Sequence, residues 1–139
     1  SPADKDIVLE CLCDALPTMI HPLMFVPNVE ALCTEAQRRY WLPRCRTHEV
    51  IGCYAQTELG HGSNIRALET KATFIRETDE FEIHTPSITA TKWWPGTLGR
   101  TANHAMVIAQ LVIDGKEYGI HNFIVPLRGE DHLPLPGVR

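Results

Sequence analysis

The sequence predicts an α+β protein in which helices come first and an antiparallel β unit follows. Three observations support this prediction. Apolar residues recur at helical spacing up to about Pro43, short β-prone runs follow from Val50, and turn residues separate those runs. The 139 residues are enough for one domain of ordinary size.

The first predicted helix begins in residues 1–4, where Ser, Pro and Asp can cap a helix. Val8, Leu12 and Leu16 then recur at four-residue spacing until Pro17 stops the pattern. This spacing predicts one apolar face on a short helix.

Two further segments are predicted before the strands. Residues 18–27 are apolar but interrupted by two prolines, which predicts a short buried turn of helix and a loop. Thr34 and Gln37 form a capping box, and the helix that it starts is expected to end before Pro43.

Six short strands are predicted in the second half, at residues 51–55, 70–75, 81–84, 88–92, 105–113 and 118–125. Asp114 and Gly115 stand between the last two apolar runs and give the clearest hairpin signal in the sequence. The strands should therefore form an antiparallel unit.

Composition excludes several classes of function. The net charge of -4 argues against binding to nucleic acid, and no apolar run reaches the roughly 20 residues of a membrane span. Five cysteines without a C-x-x-C pair indicate reduced thiols and no metal site. The sequence starts at Ser1 and stops after Arg139 without a closing element, so both ends are expected to be cut from a longer protein.

The first unusual loop spans residues 54–64 and contains Gly60, Gly62 and Ser63. Glycines remove side chains, so backbone N–H groups there could approach an anion such as a pyrophosphate. A tight turn without a ligand is the alternative for the glycine pattern alone.

The second unusual loop, residues 92–100, begins Lys-Trp-Trp-Pro-Gly. Adjacent residues on a strand point to opposite faces, so one tryptophan is expected in the core while the other offers a flat apolar surface to a ligand. Two core or interface tryptophans before a proline turn are the alternative.

Together the two loops resemble the acyl-CoA oxidase branch of the acyl-CoA dehydrogenase superfamily. In that family Tyr-Ala-x-Thr-Glu-x-Gly-His-Gly-Ser/Thr leads into Leu-Glu-Thr, as residues 54–63 lead to 68–70 here, and Lys-Trp-Trp-Pro-Gly stands intact at residues 92–96. The resemblance extends from about Phe25 to Gly137. It implies the end of an N-terminal helical domain at residues 1–47 and most of a barrel-like middle β domain at 48–139.

The resemblance implies a site for FAD. Thr57 would face the pyrimidine edge of the flavin ring, with backbone contacts from Gln56 beside it. Trp94 would pack against the ring and Gly96 would allow close backbone approach. The other two implied cofactor contacts, beside the pyrophosphate, are Gly62 and Ser63. His61 and Arg66 would line the site or a dimer contact, or lie on a solvated surface, and Glu58 is given no catalytic role.

The reaction implied is desaturation of a fatty acyl-CoA to a trans-2-enoyl-CoA, with oxygen as the electron acceptor and hydrogen peroxide as the second product. The general base of the family lies in a C-terminal helical domain that nothing in this sequence matches, so this chain is expected to be inactive alone. Kinship also implies a homodimer and a peroxisomal location.

Two other functions stay open. An oxidase-like protein that binds flavin or acyl-CoA without catalysis would keep the same middle domain. A hydrolase built on His61, Ser63 and a carboxylate would need the serine on a strained elbow, and Ser63 lacks the G-x-S-x-G pattern.

Overall fold

Helices precede a five-stranded sheet, which confirms the α+β class. The computed structural model describes residues 7, 8, 10, 11 and 16–138. Ile7, Val8, Glu10 and Cys11 are helical, while the predicted cap at residues 1–4 and Leu12 lie outside the described residues.

A π-helical turn at His21–Phe25 runs directly into helix α1 at Val26–Leu32. The predicted buried turn of helix is confirmed, but the predicted loop was wrong beyond residue 19. Both prolines lie in the first turn of their segment, where a missing N–H is tolerated. The wider π turn accommodates the change of hydrogen bonding at Pro27. Phe25 and Val29 point from this helix into the core.

Helix α2 spans Glu35–Arg46 and begins at the predicted capping box. Thr34 N–H donates to Gln37 Oε1 at 2.8 Å, and Gln37 N–H donates to Thr34 Oγ1 at 3.3 Å. The predicted end before Pro43 was wrong, since the helix continues for three residues beyond it. Burial of Cys45 in the core holds that last turn in place.

The sheet consists of β1 at Gly52–Ala55, β2 at Lys71–Ile75, β3 at Glu80–His84, β4 at His104–Ile113 and β5 at Lys116–Pro126. Five of the six predicted strands are therefore present, with ends shifted by at most two residues. The sixth, at 88–92, was wrong: residues 88–91 form bends and turns, and only Lys92 makes an isolated bridge, to Glu58.

The sheet is mixed, which corrects the prediction of an antiparallel unit. Strand β4 pairs antiparallel with β5 on one edge and parallel with β1 and β2 on the other, while β2 and β3 form an antiparallel hairpin. The long connection from β1 to β4 leaves room for a parallel crossover. Barrel-like closure is not confirmed, because the described strands form no pairing between β3 and β5.

The predicted hairpin joins β4 to β5. Asp114 and Gly115 both have positive φ, at 52° and 74°, as a two-residue type I′ turn requires. Alternate residues of β4 then supply the two sides of the core, so both faces of this strand are buried.

One core cluster lies between the helices and the sheet and contains Phe25, Val29, Cys45, Val50, Leu68, Met106 and Ile108. The other covers the opposite face with small residues, among them Ala55, Ala72, Ala105, Val107 and Ala109. His21 joins helices to sheet: its Nδ1 accepts from Gly52 N–H at 3.0 Å, and its Nε2 donates to Cys45 O at 3.1 Å. Across the described residues, no helix is long and apolar enough to cross a membrane.

Candidate functional site

The two unusual loops lie side by side. Trp93 N–H donates to Thr57 O at 2.9 Å, and Leu59 N–H donates to Thr91 O at 2.9 Å. The loop after β1 is thereby tied to the loop that precedes β4, although 36 residues separate Gln56 from Lys92 in the sequence.

Lys92 holds the two loops together through its ammonium group. Its Nζ donates to Gln56 O at 3.0 Å, Glu58 Oε1 at 3.1 Å and Ile108 O at 2.6 Å. Three acceptors therefore satisfy the three donors of the ammonium group, and they connect the first loop, the second loop and β4. Burial lowers the pKa of Lys92, against the raising effect of the Glu58 carboxylate.

Glu58 is the buried partner of Lys92, with only 2% of its surface exposed. Its carboxylate also accepts from Glu69 N–H at 2.7 Å and Thr70 N–H at 2.9 Å. Burial raises the pKa of Glu58, but these hydrogen bonds and the Lys92 bond outweigh it and hold the pKa below its ordinary value. Glu58 is thus a structural anion, as the sequence indicated.

A pocket of about 410 Å³ opens where the loops meet the first helical turn. Four of the six residues predicted to bind the cofactor line it: Gln56, Thr57, Trp94 and Gly96. The remaining lining residues are Ile20, Met24, Tyr54, Trp93 and Pro95. The structure therefore brings most of the predicted site together in one concave surface.

The chemistry of the pocket is an apolar surface with a few hydrogen-bonding groups. Tyr54, Gln56 and Thr57 supply hydroxyl and amide groups, the two tryptophans add indole N–H donors, and no lining side chain is charged. Tyr54 Oη donates to Gln56 Oε1 at 2.9 Å, while the Thr57 hydroxyl has no partner among the residues described. Such a lining suits a flat ligand with apolar faces and a polar edge.

Neither tryptophan enters the core, which corrects the expectation that one would. Trp93 is 55% exposed and Trp94 is 78% exposed, and both line the pocket. Trp94 also has a positive φ of 52°, which is strained for a bulky residue. Strain of this kind persists where the surrounding structure holds it, and it is common at ligand sites.

Gly96 is required by packing as well as by its place in the pocket. A Cβ built on Gly96 would lie 2.8 Å from Ile20 Cγ1. The second loop therefore approaches the helical segment closely at this point, and the approach closes one side of the pocket.

Gly62 and Ser63 lie away from this pocket, exposed on the loop between β1 and β2. A Cβ at Gly62 would meet no protein atom within 4 Å, so no contact within the described protein requires glycine there. The hydrolase alternative is not supported: the His61 ring contacts the Glu69 carboxylate at 3.2 Å, as a triad histidine would, but Ser63 makes no side-chain hydrogen bond within the described residues.

Five residues that shape the site were not predicted from the sequence. Ile20 and Met24 lie in the apolar run that was predicted to be buried without contacting a ligand. Tyr54 precedes Gln56 by two residues, the spacing that places two strand residues on one face.

No pattern in the sequence indicated a role for Arg128. Its guanidinium donates to carbonyls of Ala102, Leu98 and Gly99 and so supports the end of the second loop. Trp93 was missed as a lining residue because only Trp94 was assigned to the ligand.

Comparison with known families gives a match to the acyl-coenzyme A oxidase N-terminal family at residues 1–51. Among curated proteins, peroxisomal acyl-coenzyme A oxidase 1 of Arabidopsis thaliana is 58% identical over 120 residues, which is 86% of this chain and 18% of the relative. The chain thus spans about a fifth of the length of the curated relatives that it matches.

Solved structures agree with the sequence match. Acyl-CoA oxidase-1 of Caenorhabditis elegans, complexed with FAD and ATP, superposes with a TM-score of 0.84 and 51% identity over 87% of this chain and 18% of that one. Acyl-CoA oxidase-2 of the same organism, bound with FAD, ascaroside-CoA and ATP, gives a TM-score of 0.85 and 49% identity over 88% and 19% of the two chains.

Proposed function

Because this chain belongs to the acyl-CoA oxidase family, matching one segment of it in sequence and in fold, we propose that it forms part of the FAD site of such an oxidase. The reaction is desaturation of a fatty acyl-CoA to a trans-2-enoyl-CoA, with oxygen reduced to hydrogen peroxide. The observation that supports this most directly is the pocket in which both family loops meet.

The residues of the pocket fit a flavin ring. Gln56 and Thr57 supply hydrogen-bonding groups on one side, and Trp93 and Trp94 supply flat apolar surface. A donor that faces the pyrimidine edge favours the negative charge that a flavin gains on reduction. When bound, FAD supplies the acceptor for the hydride and passes the electrons to oxygen.

Gly62 and Ser63 keep their proposed place beside the pyrophosphate. Both are exposed, and the open space at Gly62 leaves room for a phosphate group against the backbone.

The proposal extends to organisation and location. Helix α2 ends at Arg46 and β1 begins at Gly52, which supports a division into a helical part at 1–47 and a β part at 48–139. The name of the Arabidopsis relative supports a peroxisomal location, and the CoA ester in the C. elegans complex supports a fatty acyl-CoA as substrate. A homodimer is proposed from family resemblance.

The pocket lining contains no carboxylate, so removal of the α-proton needs a base from outside these residues. A second candidate function, an oxidase-like protein that binds flavin or acyl-CoA without turnover, would have the same pocket lining. The full-length, FAD-loaded protein separates the two functions, because this chain is expected to be inactive alone. Peroxide release on mixing with a fatty acyl-CoA supports the oxidase, and tight FAD binding without peroxide supports the second function.

FAD titration followed by flavin fluorescence tests the site. Thr57→Val keeps the shape of the side chain but removes its hydroxyl, so we expect FAD to bind about three- to tenfold more weakly, as for one lost hydrogen bond. Gly62→Ala should also weaken binding, because the new methyl group meets the ligand and no protein atom.

Gly99→Ala is the matched control, since a Cβ there also meets nothing within 4 Å and Gly99 lies outside the pocket. Its affinity for FAD should equal that of the unmodified chain. Saturable binding that Thr57→Val leaves unchanged would place the flavin elsewhere and contradict the proposal.

A further inference from the structure

Tyr54 and Gln56 form a hydrogen-bonded pair at the edge of the pocket. Tyr54 lies on β1, and Gln56 follows the last residue of that strand. Residues two apart on a strand share a face, so both side chains reach the same pocket. The Tyr54 hydroxyl donates to Gln56 Oε1 at 2.9 Å.

Gln56 is held at both ends. Its backbone carbonyl accepts from Lys92 Nζ at 3.0 Å, and its side-chain carbonyl accepts from Tyr54. The Nε2 group of Gln56 has no partner among the described residues. The amide therefore presents two free N–H donors, while its oxygen faces Tyr54 and accepts from it.

Tyr54 is suited to remain a donor. Its ring packs against the core cluster between the helices and the sheet, and burial raises the pKa of its hydroxyl above the ordinary value. The hydroxyl therefore keeps its proton at neutral pH and continues to favour the amide orientation in which Oε1 faces the tyrosine.

We propose that Tyr54 is a positioning residue that orients the Gln56 amide so that Nε2 donates to a carbonyl oxygen on the polar edge of the flavin ring. This inference rests on the proposed function, because it names the group that Gln56 offers to the flavin. Without Tyr54 the amide is free to rotate by half a turn, and its own oxygen would then oppose the flavin carbonyl.

A double-mutant cycle in FAD titrations tests the inference. We expect Tyr54→Phe to weaken FAD binding about three- to tenfold, close to the effect of Gln56→Leu, since each removes one oriented hydrogen bond. The double variant should bind FAD no more weakly than Gln56→Leu alone. Tyr118→Phe is the control, because Tyr118 lies on β5, outside the pocket lining.

A second readout needs no turnover and separates orientation from general damage. The side-chain amide resonances of Gln56, followed by NMR, should shift in Tyr54→Phe without FAD, and should shift again when FAD is added to the unmodified chain. The visible absorption spectrum of bound flavin should differ between Tyr54→Phe and the unmodified chain but not between Tyr118→Phe and the unmodified chain.

Two results would overturn the inference while leaving the proposed function intact. One is equal FAD affinity in Tyr54→Phe and the unmodified chain, and the other is full additivity of the two single effects in the double variant. Absence of FAD binding by the folded, unmodified chain would instead refute the proposed flavin site and the role of Tyr54 with it.

Discussion

Gly52 is a residue whose identity is dictated by one neighbour. A Cβ built at this position would lie 2.0 Å from Cγ of the Phe25 ring, and Phe25 itself is fully buried. The backbone of β1 therefore contacts the aromatic ring directly. No pattern in the sequence indicates this contact, because Gly52 and Phe25 belong to different elements.

We predict that Gly52→Ala destabilises the fold by about 3 kcal/mol, at the upper end of the cost of overpacking a core. Chemical denaturation gives the free energy of unfolding. Gly99→Ala, with open space around its Cβ, should change that free energy by no more than about 0.5 kcal/mol. An equally small effect of Gly52→Ala would mean that β1 does not lie against Phe25.

The candidate site shows how far single residues could be predicted. Gln56, Thr57, Trp94 and Gly96 were named from motif resemblance, and they share one pocket. Tyr54 could have been added from its spacing, but Ile20 could not, since its contact with the second loop depends on how a distant helix packs. Motif resemblance therefore named four residues of one pocket, whereas Gly62 and Ser63 of the same motif lie outside it. The role of all six in binding FAD stays a prediction, and a contact set by tertiary packing, such as that of Ile20, could not be predicted.

At the scale of elements, the buried ion pair of Glu58 and Lys92 joins segments that lie far apart in the sequence. Hydrogen bonds from this pair reach both loops, the start of β2 and the middle of β4. Removing one partner of a buried ion pair leaves an uncompensated charge. The pair therefore sets the relative position of the elements that carry the pocket.

Lys92→Met should cost about 3–5 kcal/mol of unfolding free energy, the usual range for breaking a buried pair. Lys71→Met is the matched control, because the Lys71 and Glu117 side chains are half-exposed and such surface pairs contribute at most about 1 kcal/mol. Similar losses in the two variants would show that Lys92 is not a structural partner of Glu58.

The pair also predicts a dependence of stability on pH. The pKa of Glu58 is lower in the folded chain than its ordinary value of 4.5, so the unfolded chain binds the proton more readily. Its contribution to stability is therefore present above about pH 4.5 and is lost as pH falls through the folded pKa. In Glu58→Gln this part of the acid destabilisation should be absent, and denaturation at pH 3–6 measures it. An equal loss of stability at low pH in Glu58→Gln and in the unmodified chain would contradict the prediction.

The predicted ends of the helical segments were wrong at three prolines, and the reasons are similar. Pro22, Pro27 and Pro43 were all treated as breaks, yet the chain stays helical through each. Two of them occupy first-turn positions, and the third precedes a turn that core burial holds in place. The capping box at Thr34 was predictable because all its contacts lie within four residues.

At the scale of the whole molecule, strand existence was predictable and strand direction was not. The β-prone apolar runs and the Asp114–Gly115 turn were enough to place β4 and β5. The parallel pairings of β1 and β2 with β4 are invisible to such local patterns, because they depend on the path of the chain between the strands. The mixed sheet could therefore be recognised only from the assembled structure.

The integrity of the two core clusters can be followed through cysteine. Cys45 and Cys53 lie in different clusters and are almost fully buried, and burial raises the pKa of each thiol to about 11. At pH 8 iodoacetamide should therefore modify exposed Cys11 well before either, because the thiolate is the reactive form. Mass spectrometry gives the labelling rates.

Denaturant should bring all five cysteines to similar rates. If Cys53 in the native chain reacted as fast as Cys11, the face of the sheet lined by alanines would be open to solvent, which would contradict the described packing.

The parallel pairing of β1 with β4 has a kinetic consequence. Ile51 N–H donates to Asn103 Oδ1 across 52 residues, just before the two strands pair. Both loops of the pocket lie inside the large chain excursion that this pairing closes. Closing so long a loop lowers the conformational entropy of the chain before the contacts between β1 and β4 can stabilise it. We therefore expect this step to slow folding. The pocket is then expected to form late in folding and to bind a ligand only after β1 and β4 have paired.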